Sequence, residues 1–299
     1  MTHSIGIPIS HQIVGGFKGE RVVVVGKSGF VGSEVMNLLG ELGVESFGIG
    51  REEVDLVSQK AVHYLASVIR DSDTVVFAAA DVPVKTLDQF ERNLSMLRHF
   101  LEGIKDLRLN HLVYVSSDAV FADSTVPLNE NSLRGPENLH GLMHLAREVA
   151  LENSSQRDIL CIVRPTIIYG ANDPHNSYGP CSFMRLAERS EPIFLFGNGE
   201  EERDFIHISD VGKIIIEIIK HQSIGALNLV TGTVYSFLEG AKLVCEITNS
   251  KSQIISKPRV GPMPHNGYRP FSADNLHKAF PLFSAKSLQN GLISMRKGY

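Results

Sequence analysis

Two histidines, His140 and His144, stand four residues apart in NLHGLMHLARE (138–148), on a segment whose pattern predicts a helix. That spacing puts both on one face, about 6 Å apart along the axis. Imidazole titrates close to neutrality, so such a pair can donate and accept protons, with Ser117 or Asp118 in SSDAVF (116–121) to assist. The same spacing suits a zinc site, for which Glu148 on the same face is the further ligand in reach. Histidines merely packed on a helix are the plain alternative.

A second constellation is GKSGFVG (26–32), with Gly26, Gly29 and Gly32 between a run of four valines and a helical pattern. Small residues there permit a tight turn, let backbone approach a pyrophosphate, and bring helix against strand. The helix N-terminus then points at the phosphates. Ser28, Phe30 and Val31 complete the expected cradle.

The elements needed to hold these groups are legible. RVVVVG (21–26), TVVFAAA (74–80), LVYVSS (112–117), ILCIVRP (159–165) and ALNLV (226–230) read as buried strands. Between them Val35, Leu38, Leu39 and Leu42, then Phe90, Leu94, Leu97, Leu101 and Ile104, then Val211, Ile214, Ile215, Ile218 and Ile219, keep helical periodicity. This alternation predicts an α/β fold, a doubly wound parallel sheet with crossover helices. Residues 20–170 and 205–235 are assigned to the dinucleotide-binding domain. Residues 171–204 and 236–299, richer in Pro, Gly and Asn, are assigned to a smaller lobe, and residues 1–19 to a loosely ordered tail.

Composition narrows the partners. Of 299 residues, 29 are basic and 33 acidic, and the formal charge of -4 gives no electrostatic reason to expect nucleic acid or an anionic membrane. No apolar run reaches the ~18 residues of a membrane span, and residues 1–20 lack the basic start and apolar stretch of a signal peptide. Cys161, Cys181 and Cys245 lie far apart, which fits a reducing, cytoplasmic setting, and a homodimer is the expected assembly.

From the glycine-rich turn onward the chain resembles the extended short-chain dehydrogenase/reductase family, the NAD-dependent epimerase/dehydratases of nucleotide sugars. AAADV (78–82), VYVSSDAVFA (113–122), RPTIIYG (164–170), DPHNSYGPCSFMRLA (173–187), LFGNGEEERDFIHISDV (195–211) and YRPFSADNLHKAF (268–280) carry the resemblance in the family's order, from about residue 20 to 285. It implies that Ala78, Ala79 and Ala80 lie along the cofactor, that Pro165, Thr166, Ile167 and Ile168 pack beside the nicotinamide, and that Asp55 and Leu56 contact the adenine. Ser117 matches the active-site serine or threonine. Arg203 and Arg269 match the family's phosphate-binding arginines, whose planar forks suit a diphosphate, with Asn176, Tyr178 and Arg185 as further substrate contacts.

The resemblance also sharpens the histidine problem. The family's motif is YxxxK: the tyrosine handles the proton, while the lysine holds the nicotinamide ribose and lowers the tyrosine pKa. Here His140 and His144 occupy those two places, and none of the seven tyrosines has a lysine four residues on. Functional replacement, a catalytically silent cofactor-binding partner, and a metal site all remain open. The substrate implied is a nucleotide-linked sugar, undergoing 4-keto reduction or epimerisation. Because the second strand ends in Gly48, Ile49, Gly50 and then Arg51, without the acid that accepts from both ribose hydroxyls, NADP(H) is expected over NAD(H), unless Glu52 or Glu53 contacts the ribose.

Overall fold

The computed structural model describes residues 9–17, 21–174 and 179–296. In chain order the elements are β1 Val22–Val25, α1 Phe30–Glu41, β2 Ser46–Ile49, α2 Lys60–Val68, β3 Thr74–Phe77, α3 Leu87–Ile104, β4 His111–Val115, α4 Leu139–Glu152, β5 Leu160–Pro165 and β6 Ile167–Tyr169. There follow α5 Pro180–Glu188, β7 Ile193–Phe196, β8 Glu202–His207, α6 Ile208–Lys220, β9 Gly225–Leu229, β10 Val234–Ser236, α7 Phe237–Thr248, β11 Ile254–Lys257, β12 Tyr268–Arg269, α8 Asp274–Ala279 and α9 Leu288–Arg296.

The central sheet is wholly parallel, ordered β2-β1-β3-β4-β5-β9. Four valines in β1 suit a strand buried on both faces: Val23 and Val25 join the core under α2 and α3, and Val22 and Val24 the core under α1 and α6. This is the doubly wound architecture expected. Strand order reverses between β1 and β3, and ligands of such sheets sit outside the carboxyl ends of the strands at that reversal.

A third core gathers Phe183, Met184, Ile193, Leu195, Phe205, Phe237, Val244 and Leu292, from α5, β7, β8, α7 and α9. Here stand a small sheet ordered β10-β8-β12, with β6 also paired to β8, and the β7–β11 pair. Apart from the six-residue β8, these strands have two to four residues, which leave almost no pattern for periodicity to detect. The segment 236–299 also divides: Leu276 of α8 and Phe280 pack in the core under α1 and α6, not in the third core. The leader differs from expectation too. Ser10 bridges Ile224 antiparallel, and His11 stacks on His221 with ring centroids 4.5 Å apart, so residues 9–17 are docked.

Candidate active site

The glycine-rich turn is shaped by close backbone contacts. Gly26 has φ +100°, and a Cβ there would lie 2.8 Å from the Ala79 nitrogen; a Cβ on Gly32 would lie 2.0 Å from the Gly26 oxygen. Helix α1 therefore begins against β1, with Gly29 as its N-cap and no side chain satisfying the first amides. Those free N–H groups are an anion seat. Beside them a cavity of about 250 Å³ is lined by the expected Gly26, Ser28, Gly29, Arg51, Asp55, Leu56, Ala78, Ala79 and Ala80, together with Ile49, Gly50, Val54 and Met96.

Other expected cofactor residues lie outside that cavity. Val31 packs in the core, Gly32 is covered by Gly26, and Phe30 faces a second cleft with Ser209 and Lys286. Pro165, Thr166, Ile167 and Ile168 run from β5 into β6, where the Thr166 hydroxyl donates to Asp204.

Sequence reasoning missed Lys27. Its aliphatic stem crosses the end of β2, where a Cβ on Gly48 would lie 2.8 Å from Lys27 Cβ, so the glycines at 48 and 50 make room for it. The ammonium pairs with Glu53, whose other oxygen accepts from Gly50 N at 2.7 Å. Glu53, held below the usual carboxylate range by Lys27, has both oxygens engaged, while Arg51 stays exposed at the cavity rim.

Helix α4 starts at Asn138, whose side chain accepts from Gly141 N at 2.9 Å. Gly141 is needed because its Cβ would lie 2.1 Å from Ala119 O; this contact seats the helix on the Asp118–Val120 turn. Ser117 caps that turn by accepting from Ala119 N and donates to Asp118. His140 and His144 meet edge to face, ring centroids 4.9 Å apart. His140 Nδ1 is buried and has no hydrogen-bond partner among the described residues. Burial lowers its pKa, against a smaller upward pull from Asp118. His144 Nδ1 lies 3.2 Å from the Tyr114 hydroxyl, and burial, followed by His140 and Arg147, pushes its pKa well below the ordinary imidazole value. Both rings are neutral at pH 7.

Glu148 cannot serve as a third metal ligand. Its oxygens accept from Arg164 at 2.9 and 2.8 Å, from Ser116 at 2.6 Å and from Arg134 at 3.1 Å. The zinc reading loses the ligand it relied on.

The substrate-side arginines are tied to protein partners. Arg269 donates through Nε to Asp118, through Nη1 to Asp123, and through Nη2 to the carbonyls of Asp118 and Phe121. It is a strut between β12 and the Asp118 turn, so diphosphate binding would have to displace these ties. Arg203 bonds Glu201 and the carbonyls of Glu202 and Pro264. Arg185 reaches the Asp173 carbonyl. Asn176 and Tyr178 lie outside the described residues.

Residues 22–229 match the NAD dependent epimerase/dehydratase family. The chain belongs to that enzyme family. It is 24% identical over 282 residues to dTDP-4-dehydro-6-deoxy-D-allose reductase of Streptomyces bikiniensis, covering 80% of this chain and 85% of that one. The structure is similar to UDP-glucose 4-epimerase of Thermotoga maritima with UDP-glucose (TM-score 0.81, 20% identity, 93% and 97% of the two chains). It is also similar to the GDP-L-fucose synthetase of Naegleria fowleri bound to NADP (TM-score 0.78, 16% identity, 97% and 96%).

Proposed function

We propose that the protein is an NADP(H)-preferring oxidoreductase or epimerase of a nucleotide-linked sugar, acting by 4-keto reduction or epimerisation, with His140 as the proton-transfer group. The observation that carries this reading is His140 itself. The resemblance puts it at the family's acid–base position, Gly141 seats its helix against the Asp118 turn, and it has a buried ring nitrogen that no described residue satisfies. A buried, unpartnered nitrogen is uncommon in a folded protein, and a ligand atom is one way to satisfy it.

The cofactor would lie along the cavity, its pyrophosphate at the α1 N-terminus and its adenosine ribose near Arg51. When bound, it supplies or takes the hydride. The chain's own residues would do the rest: Ser117 and His140 would give or take the proton at the sugar oxygen, and neutral His144 would offer a hydrogen bond to the nicotinamide ribose. Leu94, Leu97 and Leu101 of α3 form with Ala146 and Ala150 of α4 an apolar groove, and Leu142 and Val149 are exposed on the same helix. This face fits the proposed homodimer. Among the described residues no helix is long and apolar enough to cross a membrane, and the cytoplasmic assignment stands as a proposal.

The test mixes the purified protein with NADPH or NADH and a panel of 4-keto nucleotide sugars, and follows nicotinamide absorbance. Turnover supports the enzyme. Tight dinucleotide binding without turnover across the panel favours a silent partner.

A further inference from the structure

Arg147 is wholly buried one turn beyond His144. Its Nε and Nη2 donate to Asn93 O at 3.0 and 2.6 Å, and its Nη1 donates to Ala79 O at 2.9 Å. The guanidinium carbon stands 5.4 Å from the centre of the Phe77 ring. Carbonyls, a ring face and the Tyr114 hydroxyl are its partners, and among the described residues no carboxylate forms an ion pair with it. Burying a charge without a counter-ion is costly, and guanidinium does not escape by deprotonation. Such a residue must be held there by what surrounds it.

What surrounds it is the histidine site and the cofactor wall. Tyr114, whose hydroxyl meets His144 Nδ1, also lies within the influence of Arg147. Ala79, which accepts from Arg147, lines the cofactor cavity and crowds Gly26 on its other side. A lysine at position 144, as in the motif the chain resembles, would place an ammonium beside this guanidinium in one dry pocket. We propose that the fixed cation of this site has moved along α4 from position 144 to position 147, where it leaves no room for a second buried positive charge. Arg147 acts as a positioning residue: it pins the 78–80 wall through Ala79 and supplies the positive field from beneath it. Its role toward the cofactor rests on the proposed dinucleotide reading; the coupling between 144 and 147 does not.

Restoring lysine at 144 therefore harms the protein while Arg147 is present. The groups facing His144 are His140 and Arg147 on α4 and Tyr114 on β4, with Asp118 facing His140. A double-mutant cycle on the full chain tests the coupling by thermal melting and NADPH titration. His144→Lys is expected to lower the melting midpoint by roughly 5 °C or more, whereas His144→Gln stays within about 2 °C of the parent. Adding Arg147→Met to His144→Lys is expected to recover most of the loss, above either single change. In Arg147→Met alone the His144 imidazole, followed by NMR, should titrate at higher pH than in the parent. Equal losses for His144→Lys and His144→Gln, or strictly additive single effects, would overturn the proposal, and the first comparison stands even if Arg147→Met does not fold. A parent that binds neither NADPH nor NADH sinks the cofactor reading and leaves the melting cycle as the arbiter of the charge relocation.

Discussion

The glycine-rich turn and helix α4 touch the two sides of the same short segment, for Ala79 crowds Gly26 with its nitrogen and receives Arg147 with its oxygen. They are built differently. In the turn, shape comes from what is missing: no Cβ fits at Gly26 or Gly32. In α4, shape comes from charges placed in a dry interior, where Glu148 gathers Arg164, Arg134 and Ser116, and Arg147 rests on carbonyls. A steric requirement admits one residue type at one place. A charge requirement can be met from a neighbouring position.

The largest effect should come from the helix. Glu148→Gln leaves Arg164 buried without its counter-charge, and removing one partner of a buried ion pair costs about 3–5 kcal/mol. Urea denaturation should show a loss of that order with an unchanged slope. A loss below about 1 kcal/mol would mean that packing, not charge, holds the helix.

Next in size is the chemistry at His140. His140→Phe should lower kcat/KM by at least about 100-fold, the usual contribution of general acid–base catalysis. The pH profile gives the sign. Burial lowers the His140 pKa, so the neutral base form is present at pH 7 and is lost only as pH falls below the ordinary imidazole range. Sugar oxidation should therefore be flat near pH 7 and fall in acid, while reduction that needs the protonated ring should fall as pH rises. Robust turnover by His140→Phe would transfer the proton to Ser117 and Asp118.

The turn should show a smaller, purely steric loss. Gly32→Ala forces a methyl to within 2.0 Å of the Gly26 oxygen, and overpacking of this kind costs about 1–3 kcal/mol. Gly40→Ala, in the same helix but with nothing within 4 Å, serves as the control and should be neutral or stabilising by about 0.5–1 kcal/mol. Equal behaviour of the two alanines in dinucleotide titration and melting would remove the steric argument.

Legibility followed the same division. Strands β1, β3, β4, β5 and β9 and the glycine spacing were readable because buried β-branched runs and turn residues act locally in sequence. TVVFAAA was read as one strand, yet β3 ends at Phe77 and the three alanines become cavity wall, with Ala79 held by Arg147, 68 positions away. The ties of Arg269 to the Asp118 turn and of Lys27 to Glu53 were unreadable for the same reason. One signal did exist: Gly48 in β2 and Gly50 just past its end mark a close approach, and the nearest long side chain in the preceding turn is Lys27.

That signal bears on the smallest prediction, the choice of dinucleotide. Lys27 and Arg51 are both cations at the end of β2, but Lys27 already has Glu53 as partner, and Glu53 has both oxygens occupied. Arg51 is the exposed cation at the rim, so it is the residue expected to meet a 2′-phosphate. A charge-assisted hydrogen bond contributes about 1.5–3 kcal/mol, and exposure to solvent pulls the figure to the low end, or roughly tenfold in affinity. Titration should show NADPH binding about tenfold tighter than NADH in the parent and equally in Arg51→Ala, with the difference shrinking as salt rises. If Arg51→Ala keeps the preference and Lys27→Ala abolishes it, Lys27 must leave Glu53 to meet the phosphate. Glu53→Gln, which frees that ammonium, would then tighten NADPH further; in the Arg51 reading it leaves the tenfold ratio nearly unchanged.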